Sequence, residues 1–197
     1  MIFGGGPLLV LAIRRPGILF LSLWLAAAAA QIAVRGQTPP SRYPREGLRA
    51  VSLRFLVFAP VIACLARWLW PGHFLTLPRE KPGLWLAVML LYPLLSVWPQ
   101  EMVYRAFLFT RYRPLLGTPS ARICASAVAF AFAHVIFLNW IAVILTFAGG
   151  LMFARDYERY GSLAPVCLEH SLYGCLIFTV GMGQFFYTGA AWHHAPA

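Results

Sequence analysis

The sequence predicts an all-α polytopic membrane protein, with about six spans and up to eight helices around a membrane-embedded polar cavity. Three observations predict it. The 197 residues are 60% hydrophobic and only 11% charged, with a mean hydropathy of +0.71, whereas a soluble domain carries about 25% charged residues. Apolar runs recur at the length of a membrane-crossing helix, roughly 20 residues. Isolated ionisable residues stand inside those runs, where a charge is costly and marks a functional site by default. Residues 1–197 read as a single transmembrane domain.

The elements follow in order. A short apolar run, 8–13, stops at Arg14-Arg15-Pro16. The next, 17–34, has no charge and is followed by a Pro- and Arg-rich loop, 35–49. Basic residues ahead of an apolar core and the alanine run 26–30 are also features of a secretory signal peptide. Because the run continues through Ile32 and Val34, an uncleaved first span is the expectation. A second span covers 50–70, with Arg54 near its end able to snorkel. Residues 71–82 read as a loop in which Pro78 and Pro82 oppose a helix and His73 is solvated. A third span covers 84–98, kinked at Pro93; Pro99 breaks or restarts it, with a helix over 100–113. Ser120 is the expected cap of a fourth span, 121–138, and Asn139 interrupts before a fifth, 141–154. Small residues near Gly149-Gly150 allow close helix packing. Residues 155–161 read as a mixed-charge surface loop, 162–180 as a sixth span, and the remainder as a weakly structured tail containing His193-His194.

The net charge of +10 comes from 15 Arg and one Lys against six acids. The arginines cluster between apolar runs, where they meet anionic lipid headgroups. No soluble basic module or aromatic stacking platform is present, so nucleic acid is not an expected partner; membrane lipids and a membrane-associated peptide or protein substrate are. The expected location is the bacterial inner membrane. The four cysteines, Cys64, Cys124, Cys167 and Cys175, form no C-x-x-C pair and read as buried small hydrophobes.

The chemistry-bearing residues lie in three apolar segments. Glu101 and Arg105 stand at i and i+4, in the favourable order of acid before base. This pair reads as a self-neutralising ion pair, a carboxylate held oriented for catalysis, or both. Phe130 and His134 also stand at i and i+4, so ring and imidazole share a face. His170 follows Glu169, but adjacent helical residues point about 100° apart. Glu169 pairs with an arginine on another helix or adds a second acid to the site. Asn139 and Tyr173 read mainly as helix-end and packing residues. A carboxylate with an imidazole can activate water, and a second histidine can stabilise an oxyanion. Glu101, His134 and His170 also form a possible zinc ligand set, although no H-E-x-x-H is present.

These residues resemble the CPBP, or Abi, family of CAAX-protease and bacteriocin-processing intramembrane endopeptidases, which includes the Rce-type prenyl-protein endopeptidases. The family pattern is E-E-x-x-x-R, F-x-x-x-H and H-x-x-x-N. Here Gln100-Glu101-x-x-x-Arg105 matches the first in part, Phe130-x-x-x-His134 the second fully, and His170-x-x-x-Gly174 only the histidine of the third. The resemblance covers about residues 84–180. It implies a helical fold with a membrane-embedded cavity, hydrolysis without a cofactor, and zinc only as an alternative. It also implies a glutamate at position 100 and His134 as the water-activating pair, with His170 and an asparagine at 174 as oxyanion stabilisers. Two of those four positions differ. The expectation is therefore an endopeptidase using Glu101 as base or base-orienting group, His134 to activate water and His170 as the electrophile. Arg105 orients Glu101; Glu169 is a replacement base and Asn139 a replacement amide donor. The alternatives are a degenerate relative that serves as a binding, immunity or assembly factor, and a zinc-dependent hydrolase.

Overall fold

The computed structural model describes residues 2–13, 16–37 and 43–187. Arg14-Arg15 and His193-His194 lie outside the described residues. Among the described residues there are eight helices and no strand. They are α1 (Ile2–Ile13), α2 (Pro16–Val34), α3 (Pro44–Leu69), α4 (Thr76–Glu80), α5 (Pro82–Arg111), α6 (Pro119–Phe137, ending in a 3-10 turn), α7 (Trp140–Tyr160) and α8 (Leu163–Thr179). Five of these are long and apolar enough to cross a membrane. The sixth apolar helix, α8, has 17 residues, or about 26 Å at 1.5 Å per residue, slightly under the hydrocarbon thickness. The protein is an integral membrane protein.

Burial ranks the helices. In their apolar windows 39% of α6 and of α7 is buried but only 6% of α3, so α6 and α7 form the centre and α3 faces outward. They approach closely because Gly150 has no side chain: a Cβ there would stand 3.0 Å from the Ala127 Cα. Outward faces carry large apolar side chains such as Leu56, Val57, Leu90 and Leu94, as hydrocarbon surroundings favour. The same reason corrects the cysteines: Cys64 and Cys124 are exposed, and Cys167 and Cys175 half-buried. Against lipid, a small apolar side chain gains nothing by facing inward. The small residues Ala27 and Ala30 of α2 are buried in the main core with Val103, Ala106 and Phe107 of α5.

Helix α5 differs most from the sequence reading. Pro99 does not break it; the helix runs unbroken from Pro82 to Arg111. Two π-helical turns, Pro93–Val97 and Met102–Phe107, flank Pro99. A π-turn shifts the hydrogen-bond ladder by one residue, which lets a helix pass a proline without ending, and such turns concentrate at functional sites. Pro78 also sits inside a helix, as the third residue of α4, where the backbone N–H has no helical partner to lose. Pro44 starts α3 ahead of the expected start at residue 50 and brings Glu46 into the first turn. Thr118 rather than Ser120 caps α6, accepting from the Ala121 N–H at 3.2 Å, with Pro119 following at the first helical position.

The expected surface loop 155–161 is the last turn and a half of α7, closed by Gly161 at φ 58°. Its two acids are paired across helices. Arg122 on α6 bonds Glu158 at 2.9 and 2.5 Å, and Asp156 is buried against Arg54. Arg54 therefore does not snorkel. Beyond α8, Gly181 at φ 91° leads into a 3-10 turn, Met182–Phe186, so the start of the expected loose tail is ordered.

Candidate active site

The second π-turn of α5 and the middle of α8 build the centre. Glu101, at the edge of that turn, is completely buried. Its Oε1 accepts from His170 Nδ1 at 2.7 Å. Its Oε2 stands 3.1 Å from Arg105 Nε, close enough for an ion pair but not aligned as a hydrogen bond. Arg105 is also fully buried. Its guanidinium lies over the Phe130 ring at 4.4 Å and nears the Phe153 ring at 5.4 Å, and Nη2 points at the Gly150 carbonyl at 3.5 Å. Aromatic faces and one carboxylate thus replace the water a guanidinium would otherwise hold.

His170 is fixed on three sides by rings. Phe153 stacks on it at 4.9 Å, Phe130 meets it edge-on at 5.5 Å, and Tyr92 at 5.9 Å. Phe130 also packs on His134 at 4.6 Å, so one phenyl ring contacts both imidazoles. His134 begins the 3-10 end of α6, and its Nδ1 lies 2.7 Å from the Phe130 carbonyl oxygen. A carbonyl only accepts, so Nδ1 carries the hydrogen and Nε2 keeps its lone pair.

Of the residues singled out in the sequence, Glu101, Arg105, His170 and Phe130 meet directly, and His134 joins them through Phe130. Gln100 does not supply a base. Its amide nitrogen donates to Ser96 Oγ at 2.7 Å, and its Oε1 is buried without a partner among the described residues. Asn139 is not free to replace an amide donor. Its nitrogen donates to the carbonyls of Phe137 at 3.1 Å and Phe185 at 2.7 Å, and its oxygen caps α7 through the Ala142 N–H at 2.8 Å. Glu169 turns away from His170 and accepts from Arg54 Nε at 2.8 Å. Tyr173 packs edge-on against Phe55 at 5.3 Å. Among the described residues no three His, Cys, Asp or Glu side chains are grouped to hold a metal ion.

Two contributions were missed in the sequence: Phe153 and Tyr92 contact His170 from helices whose facing is not readable from spacing. The expected pairing of Glu169 with an arginine on another helix is found in the Arg54–Asp156–Glu169 cluster, which joins α3, α7 and α8; the part of Asp156 in it was not foreseen.

No curated protein and no solved structure matches the chain. A family model described as type II CAAX prenyl endopeptidase Rce1-like matches residues 82–176. That stretch runs from the start of α5 into α8 and contains Glu101, Arg105, Phe130, His134, His170 and the rings around them. Over residues 82–176 the chain is similar to the Rce1-like type II CAAX prenyl endopeptidases.

Proposed function

We propose that the chain is an intramembrane endopeptidase that hydrolyses a peptide bond of a membrane-associated, CAAX-type substrate. The observation that carries this reading is the 2.7 Å contact between Glu101 and His170 in a buried site, within the segment matched by an endopeptidase family. His134 Nε2 takes a proton from water. The hydroxide adds to the scissile carbonyl carbon, and the carbonyl electron pair moves onto its oxygen. His170, with Nδ1–H held by Glu101, donates from Nε2–H in its protonated form to that oxyanion. Glu101 and Arg105 already cancel, so an imidazolium leaves the site with one surplus positive charge, matched to the charge that develops. The C–N bond then breaks, and the proton on His134 passes to the leaving amine. Oε1 of Glu101 is bonded to His170 and Oε2 faces Arg105 as an ion pair, so its part is to orient and charge His170 rather than to deprotonate water.

The test is cleavage of an internally quenched farnesylated C-a-a-X peptide, and of its unprenylated form, by purified protein. His134→Ala and His170→Ala are each expected to lower kcat by about 10²-fold or more. Parent-like cleavage by both variants would sink the assignment.

A second reading, a non-catalytic relative, is favoured by Gln100, whose amide is bonded to Ser96 where the family pattern has an acid. Gln100→Glu separates the two. A parent without activity that gains cleavage on this change is a decayed enzyme; a parent that cleaves and is not improved is a working one.

A further inference from the structure

The third motif ends in a glycine, and the structure contains a reason. Gly174 lies one turn after His170 on α8. A Cβ at Gly174 would fall on Cε1, Cζ and Oη of Tyr92. The Tyr92 ring and hydroxyl therefore occupy the space that any side chain at 174 would use. The same ring stands edge-on to His170, with an interplanar angle of 78°, and edge-on to Phe178 at 5.6 Å. The hydroxyl makes no hydrogen bond among the described residues. A phenol is neutral and carries one O–H donor; Tyr92 is only half-buried, so that donor stands free for a group entering the site. Tyr173 carries a hydroxyl next to Gly174 in sequence, buried without a hydrogen-bond partner among the described residues, but its ring packs edge-on against Phe55 rather than His170.

We infer that the Tyr92 hydroxyl is a catalytic donor to the substrate carbonyl oxygen, acting with His170 in the space kept open by Gly174. This role rests on the endopeptidase reading above. The hydroxyl donates a hydrogen bond and transfers no proton. As the carbonyl carbon takes up hydroxide, negative charge collects on the oxygen, and the Tyr92 O–H and His170 Nε2–H share it. Removing one donor of such a pair lowers kcat by about 10²- to 10³-fold.

Tyr92→Phe keeps the ring and its contacts and removes only the hydroxyl. With the farnesylated C-a-a-X peptide, kcat is expected to fall roughly 10²-fold, with KM within about twofold and the melting temperature unchanged. A packing role alone would move the melting temperature and spare kcat. A second comparison guards against a folding defect. Tyr92→Ala opens the space, and Tyr92→Ala with Gly174→Asn refills it with an amide donor. The double variant is expected to exceed Tyr92→Ala in kcat by at least about tenfold. Tyr92→Phe at the parent kcat, or a double variant no faster than Tyr92→Ala, overturns the role while the endopeptidase reading stands. A parent that cleaves none of the peptides overturns that reading and this role with it.

Discussion

Glu101 and Glu169 are both fully buried carboxylates, and their surroundings differ in one decisive respect. Glu101 shares itself between an arginine from its own helix and a histidine from α8. Glu169 is held by Arg54 of α3, which also holds Asp156 of α7. Imidazole can change protonation near neutral pH and offers its second nitrogen to a substrate. Guanidinium does neither, and Arg54 spends its donors on two acids. The first cluster is therefore suited to chemistry, and the second ties three helices together. A buried charge is a reliable sign of a partner; whether that partner keeps a second polar atom for a substrate separates a reactive site from a structural one.

Breaking each cluster should give different losses. Glu101→Leu removes the anchor of His170 and leaves Arg105 buried without its counter-charge. Cleavage should disappear, and unfolding in detergent should become easier by about 3–5 kcal/mol; retained cleavage would contradict the orienting role. Arg54→Met leaves Asp156 and Glu169 as neighbouring buried carboxylates. A stability loss of about 3 kcal/mol is expected, with kcat of the surviving folded protein near the parent value. A selective fall in kcat at parent-like stability would make the second cluster part of the site. Glu169→Gln keeps a hydrogen-bond acceptor for Arg54 and leaves Asp156 as its counter-charge, so a loss of only about 1 kcal/mol is expected, read from the same unfolding curve. The smallest effect should come from chelation. The two oxygens of Glu101 already have protein partners, so activity should persist in excess chelator without stoichiometric zinc by elemental analysis. Chelator-sensitive cleavage restored by zinc would favour the metal-dependent alternative.

The candidate site was partly legible because ionisable residues are rare in this sequence. Glu101, His134 and His170 stood out against apolar neighbours, and the i, i+4 spacing of Glu101 and Arg105 stated their pairing directly. Asn139 and Glu169 were as visible but point elsewhere. Asn139 is consumed as the cap of α7, a role local spacing allows but does not require. Glu169 follows the side of α8 that meets α3, and spacing says nothing about which helix lies on which side. Residues 155–161 failed for a related reason. A mixed-charge segment looks solvated until its charges find partners, and Arg54 and Arg122 supply them from 102 and 36 residues away.

The amino-acid sequence by itself determined the class of protein, the number and approximate limits of its apolar helices, and the residues able to do chemistry. These follow from hydropathy, periodicity and the cost of burying charge, all local properties of the chain. Only the tertiary structure decided the partnerships. It carried α5 through Pro93 and Pro99 by two π-turns, set His170 on Glu101, turned Glu169 to Arg54, and placed the Tyr92 ring against Gly174. The reason is that contacts between helices depend on which faces pack together. In a membrane, where outward faces are as apolar as inward ones, the hydropathy pattern does not mark those faces.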